Sequence, residues 1–120
     1  MKTIMLIDDD PTMVKLLKTL LEIEGFHSVS WSGASDVLAE VSQQQPDIVL
    51  LDINLRGVNG LDVLKQIRAD KSLAEMPVLV TSGMDFREAS VEAGATDFFM
   101  KPYRPDRLVN SIRTHVGPEA

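Results

Sequence analysis

The sequence predicts an α/β fold, a doubly wound (βα)5 sandwich in which a five-stranded parallel sheet lies between two layers of helices. Three observations carry that expectation. Five short apolar runs recur along the chain with almost no polar alternation, as strands buried on both faces require. The segments between them repeat their apolar residues at three- and four-residue spacing, the period of an amphipathic helix. Strand and helix alternate throughout, and right-handed parallel crossovers turn that order into a sheet covered on both sides.

The first run, Ile4 to Ile7, leads into Asp8-Asp9-Asp10. Asp10 suits a helix N-cap, Pro11 the first helical position, and Gly25 the position past the end of a stripe made by Met13, Val14, Leu17, Leu20 and Leu21. Val29 to Trp31 is the weakest strand run. Val37, Leu38 and Val41 mark a second helix, which must stop near Gln45-Pro46 because the residue before proline resists the helical conformation. Ile48 to Leu51 is the third run, and Leu61, Leu64 and Ile67 mark the third helix between Gly60 and Asp70. Val78 to Val80 precedes a short helix from Phe86 to Ala93, closed by Gly94. Phe98 to Met100 precedes the last helix, Pro105 to Val116, whose buried face is Leu108, Val109, Ile112 and Val116 before Gly117.

With 120 residues, the chain folds to roughly 6,400 Å² of surface from roughly 19,000 Å² unfolded, which suits one core. Composition of 44% hydrophobic and 25% charged residues excludes disordered and fibrous classes. One domain over residues 1–120 is expected, with Gly117-Pro118 as the start of a linker over 117–120. Twelve Lys and Arg against eighteen Asp and Glu leave a net charge of −6. That balance disfavours direct contact with nucleic acid or an anionic membrane. The chain has no cysteine, so disulfides, thiolate metal sites and thiol nucleophiles are excluded. The apolar N-terminal stretch stops at Ile7 against three aspartates, no run approaches the length of a membrane span, and a cytoplasmic location is expected.

In open parallel sheets ligands sit beyond the carboxyl ends of the strands. The residues following each run are Asp8, Asp9 and Asp10; then Asp52; then Thr81 and Ser82; then Lys101 and Pro102. Carboxylates crowded at one edge repel, and at least one pKa rises unless a cation stands among them. Hard oxygen ligands without His or Cys point to Mg²⁺, with Mn²⁺ as the alternative. Lys101 adds a second positive charge. A metal, an ammonium and a hydroxyl around one carboxylate suit a phosphoryl group, with Asp52 as a nucleophile that becomes an aspartyl phosphate. Each feature alone reads blandly: an acidic helix cap, a solvated lysine, a Thr-Ser turn. Their joint placement at four strand ends is what points to chemistry.

These residues stand within motifs spread over the whole chain. They are Leu6-Ile7-Asp8-Asp9-Asp10, Ile48 through Asn54, Gly57-Val58-Asn59-Gly60, Pro77 through Gly83, and Gly94-Ala95 running to Phe99-Met100-Lys101-Pro102-Tyr103. The chain resembles the receiver domain of bacterial response regulators, the CheY-like module that accepts phosphate from a phospho-histidine. The resemblance implies a flavodoxin/CheY-like strand order, 2-1-3-4-5, and Asp52 as phosphoacceptor. It implies Asp8 and Asp9 as an acid pair, with Mg²⁺ held by Asp9, Asp52 and the backbone carbonyl of Asn54, and Asp8 acting mainly through a metal-bound water. Ser82 becomes the switch hydroxyl, leaving Thr81 to the strand; Lys101 pairs with the phosphoryl oxygens; Phe98 is the second switch position, and the Lys101–Pro102 peptide is cis. One departure is Arg56, where many receivers carry proline, which leaves that loop less restrained and puts a cation near the site.

By the same resemblance the chain is a signalling switch and not an enzyme with a separate substrate. It catalyses only phosphotransfer to itself from a histidine kinase or histidine phosphotransfer protein, and slow self-dephosphorylation. Its readout is the surface of the fourth helix, fifth strand and fifth helix, which serves a downstream effector, an output domain or a homodimer. Asn54, Gly83 and Met84 lie where attacking water approaches and are expected to set the phosphoryl lifetime. Trp31 and Tyr103 read as packing aromatics, His27 and His115 receive no role, and Arg104, Arg107 and Arg113 read as a solvated helix face. Three other classes compete: a Mg²⁺-dependent phosphohydrolase using Asp52, a flavodoxin-like FMN binder, and a binding module indifferent to phosphate. The missing cap segment and the lone Asp of Asp52-Ile53-Asn54 oppose the first, and the acidic first loop opposes the second.

Overall fold

The sheet places its strands in the order β2-β1-β3-β4-β5, all parallel. The strands are β1 (Thr3–Ile7), β2 (His27–Ser30), β3 (Ile48–Asp52), β4 (Val78–Ser82) and β5 (Asp97–Met100). The computed structural model describes residues 1–31, 33 and 36–117; the expected linker beyond Gly117 lies outside them. The helices are α1 (Pro11–Ile23), α2 (Val37–Gln44), α3 (Gly60–Ala69), α4 (Arg87–Glu92) and α5 (Pro105–Val116). None of the described helices is long and apolar enough to cross a membrane.

Alternate residues of each central strand feed two cores. Ile4, Leu6, Ile48, Leu50 and Leu79 meet Leu17 and Leu21 of α1 and Leu108 and Ile112 of α5. Met5, Ile7, Val49, Leu51, Val78 and Val80 meet Val37 and Val41 of α2, Val63, Leu64 and Ile67 of α3, and Phe98. Every residue of β3 and β4 is buried, whereas β2 at the edge fully buries only Ser28. That difference explains why β2 is faint in the sequence: an edge strand needs apolar residues on fewer positions. It spans His27–Ser30 and not Val29–Trp31, although the Trp31 N–H still donates to Leu6 O at 2.9 Å.

Local chemistry sets the helix ends. The Asp10 side chain caps α1 by accepting from Thr12 N at 3.0 Å, with Pro11 first in the helix. Asp36 caps α2 through Ala39 N, and Asn59 caps α3 through Leu61 N at 2.9 Å. α2 ends on Gln45, which takes a left-handed φ of 47° before Pro46. α4 has six residues, shorter than the predicted Phe86–Ala93, and its cap position is Phe86, which supplies no side-chain acceptor. The buried Ser90 hydroxyl on α4 has no hydrogen-bond partner among the described residues.

Two features have no sequence signature. A ribbon pairs Asn54–Leu55 antiparallel to Val58–Asn59, turning through Arg56 and Gly57, whose φ is +70°. The irregular stretch after α3 is held by Arg68, whose guanidinium donates to Gly94 O at 2.8 Å, Ala74 O at 3.2 Å and Met76 O at 2.7 Å. Burial draws the Arg68 pKa below its ordinary value, against the pull of Glu75. Arg68→Met keeps the apolar stem but strips three carbonyls of their donor, and is expected to cost about 2–3 kcal/mol of unfolding free energy in urea denaturation.

Candidate functional site

Four strands bring their ends to one edge. Asp52 and Ser82 are the last residues of β3 and β4, so both belong to the strands and do not follow them. Asp52 is level with Thr81 in the register, and Thr81 O accepts from Ile53 N at 3.0 Å. Thr81 therefore serves the sheet. Asp8 follows β1, and Lys101 follows β5 with its N–H donating to Ser82 O at 2.7 Å. The peptide between Lys101 and Pro102 is cis, as expected.

At the centre is a three-residue charge cluster. The Lys101 ammonium lies 2.9 Å from Asp52 Oδ2 and 3.5 Å from Asp8 Oδ2. The side chains of Asp52 and Asp8 are only 8% and 9% exposed, and that of Lys101 is 26% exposed. The remaining carboxylate oxygens accept backbone N–H groups: Asp52 Oδ1 from Asn54 at 3.1 Å, and Asp8 Oδ1 from Asp10 at 2.9 Å. Burial, joined by the charge of Asp52, pushes the Asp8 carboxyl above its usual value, against the Asp10 N–H and Lys101. Burial also pulls the Lys101 ammonium down, yet the Asp52 hydrogen bond and the Asp8 charge outweigh it and leave the pKa above the ordinary 10.5.

Asp9 does not join that cluster. Its Oδ2 accepts from the backbone N–H of Arg56 at 2.7 Å. Arg56 therefore ties the ribbon to the first loop through an N–H that a proline there would lack. Among the described residues no three acidic or imidazole side chains converge around one point as a metal cage. The donor set nevertheless suits Mg²⁺, which needs only one or two carboxylates beside water and carbonyl oxygens. Asp8, Asp9, Asp52 and the Asn54 carbonyl offer hard oxygen alone.

α3 supports the site from below. Its first residue, Gly60, donates its N–H to Ile53 O at 2.8 Å. A Cβ there would run into the Asp52 carbonyl oxygen and stand 2.6 Å from Ile53 Cα, so only glycine allows this approach.

Residues 4–113 match the response regulator receiver domain. The chain belongs to that family. As a receiver domain it is the signalling module of two-component response regulators. It is 36% identical over 115 residues to the DNA-binding response regulator MtrA of Mycolicibacterium smegmatis, covering 94% of this chain and 50% of MtrA. It is 34% identical over 116 residues to the sensory transduction protein RegX3 of the same organism, with the same two coverages. The chain spans about half the length of the curated relatives it matches. Among solved structures, the BeF3-activated N-terminal receiver domain of Klebsiella pneumoniae RstA superposes with a TM-score of 0.87 at 25% identity, over 97% of this chain and 99% of that one. The receiver domain of the Pseudomonas aeruginosa sensor histidine kinase PA1611, which carries magnesium in its active-site cleft, superposes at 0.85 with 20% identity, over 98% of both chains.

The remaining predicted positions of this receiver domain lie partly in its core and partly on its surface. The Ser82 hydroxyl is buried and accepts from Met84 N at 3.1 Å. Phe98 is buried in the core between sheet and α4, and the Arg87 guanidinium sits 5.3 Å from its ring centre. Gly83 and Met84 are exposed, Met84 at 63%. Tyr103 packs on Phe99 with ring centres 5.8 Å apart. Arg113 is not a plain solvated side chain: it bonds Glu24 Oε1 at 2.8 Å and covers the Phe26 ring. His115 Nδ1 lies 2.8 Å from Ser111 O, a bond within α5. Sequence reasoning singled out neither Gly60 as a support nor Arg87 as a cover for Phe98, because both roles exist only across tertiary contacts.

With its pKa raised, Lys101 contributes stability that is complete below about 10.5 and is lost as pH rises through the folded value. The protein should therefore weaken at alkaline pH beyond that point. Lys101→Met should already cost about 2 kcal/mol at neutral pH, less than a fully buried pair because the ammonium is partly solvated. It should also lack the alkaline loss attributable to this group; urea unfolding followed from neutral to strongly alkaline pH reads both effects.

Proposed function

We propose that Asp52 accepts a phosphoryl group from a phospho-histidine donor and that the resulting charge resets the α4-β5-α5 surface. The observation that carries this reading is the Asp52 carboxylate, nearly buried at a strand end and bonded to Lys101 at 2.9 Å. A carboxylate oxygen of Asp52 attacks phosphorus, the P–N bond to the donor imidazole breaks, and the leaving imidazole keeps the electron pair and takes up a proton. Lys101 stands where negative charge builds on the phosphoryl oxygens and needs no reorganisation to meet it. Burial around Asp52 and Asp8 strengthens that electrostatic contact by excluding water.

Asp9, Asp52 and the Asn54 carbonyl would hold Mg²⁺, or Mn²⁺ as a substitute, with Asp8 as a further acidic partner acting through water; bound there, the ion would supply positive charge toward the phosphoryl oxygens. The Ser82 hydroxyl accepts from Met84 N and keeps its own hydrogen to donate to a phosphoryl oxygen. That donation draws the β4–α4 segment toward Asp52. Phe98, already buried in this arrangement, lacks a hydroxyl to hold it in either rotamer, so packing against α4 and Arg87 decides its position. The switch is a shift between two packings, each favoured by its own contacts with the phosphoryl group.

The donor is a sensor histidine kinase or histidine phosphotransfer protein in the cytoplasm. The receiver, with a net charge of −6, leaves DNA contact to an output domain or effector. Residues 1–120 are one receiver domain whose end, 117–120, begins a linker, in keeping with relatives of twice its length. The α4-β5-α5 face also serves as a homodimer contact. Separate substrates are not turned over.

Incubation with acetyl phosphate and Mg²⁺ followed by intact-mass measurement tests the reading. One phosphoryl group on the wild type and none on Asp52→Asn is expected; label retained by Asp52→Asn would move the acceptor elsewhere. Exposed Met84 cannot orient an attacking water by a strong hydrogen bond. Met84→Glu should therefore shorten the phosphoryl lifetime severalfold, and an equal or longer decay in that variant refutes a role for Met84.

A further inference from the structure

The Arg56 amide is fixed with respect to Asp52. Ile53 O accepts from both Leu55 N at 3.2 Å and Gly60 N at 2.8 Å, and Asn54 N donates to Asp52 Oδ1. The ribbon thus rises from the phosphoacceptor on anchored backbone, and its turn carries the Arg56 N–H to Asp9 Oδ2 at 2.7 Å. A backbone N–H at that distance from an ionised carboxylate is a short, charge-assisted hydrogen bond. It spans 47 residues of sequence.

We infer that the Arg56 amide is a latch on Asp9 that competes with a divalent cation for this carboxylate and so weakens metal loading beside Asp52. The inference rests on the reading of Asp9 as a metal ligand. Mg²⁺ demands near-ideal octahedral geometry and gives up water reluctantly. The Arg56 N–H already occupies Asp9 Oδ2, so a cation that draws this carboxylate into its own octahedron does so at the cost of that hydrogen bond. The exposed guanidinium of Arg56 adds charge of the same sign as the cation, but solvent and salt screen it. The backbone N–H, not the side chain, is the larger contribution.

Two variants separate these contributions. Arg56→Ala keeps the N–H and removes the guanidinium. Arg56→Pro removes both, and proline suits the first central position of a turn whose second is Gly57 with positive φ. Isothermal titration with Mg²⁺ should give Arg56→Pro roughly tenfold tighter binding than Arg56→Ala. Equal dissociation constants for the two overturn the latch while leaving the metal site standing. Absence of Mg²⁺ binding in all three proteins overturns the metal site and the latch together. In the wild type, Mg²⁺ should shift the Arg56 amide proton upfield in ¹⁵N-resolved NMR spectra as the bond to Asp9 breaks. An unmoved Arg56 resonance at saturating Mg²⁺ also overturns the latch, whether or not the proline variant folds.

Discussion

Two nearly buried carboxylates share one lysine, and the arrangement of this receiver domain follows from that constraint. Asp52 ends β3 and Asp8 directly follows neighbouring β1, so the sheet itself brings them together. Without a cation their mutual repulsion and lost hydration would have to be relieved by protonation or by opening the edge. Lys101 comes from β5, two strands away from β3 in the sheet, and its N–H is tied to Ser82 O. The ammonium is thus delivered by a backbone bonded to the residue that carries the Ser82 hydroxyl. A change in charge at Asp52 is felt first by the residue that links the end of β4 to the end of β5.

The parts of this design visible in the sequence are those set by burial and local chemistry. The central strands β1, β3 and β4 are legible because both their faces need apolar side chains. α1 and α5 are legible because Asp10, Pro11 and Pro105 mark their starts and the buried stripe marks their length. The edge strand β2 is displaced from the predicted run because one side of it carries little packing demand. The ribbon at residues 54–59 has strands of two residues, too short for any periodicity. Site residue types could be read from their order at the strand ends. Their partners could not, since Asp9 bonds a backbone N–H, and every residue but proline has one.

The two cores serve different purposes. α1 and α5 clamp one face with large aliphatic side chains that are almost wholly buried. On the other face, α4 has only six residues and buries the Ser90 hydroxyl, which has no hydrogen-bond partner among the described residues. A helix with so few compensating interactions lies at the low end of local stability. It is also the helix whose Arg87 covers Phe98. α4 is thus a weakly secured element, while Asp52 stands on a strand buried at every residue.

Gly60 shows how far the demands of this site reach beyond its chemistry. Its side chain is a single hydrogen, yet the space for a methyl group is missing between α3 and the backbone of Asp52 and Ile53. A saturation survey scored by signalling would rank position 60 beside the charged cluster, and a survey scored by side-chain chemistry would overlook it.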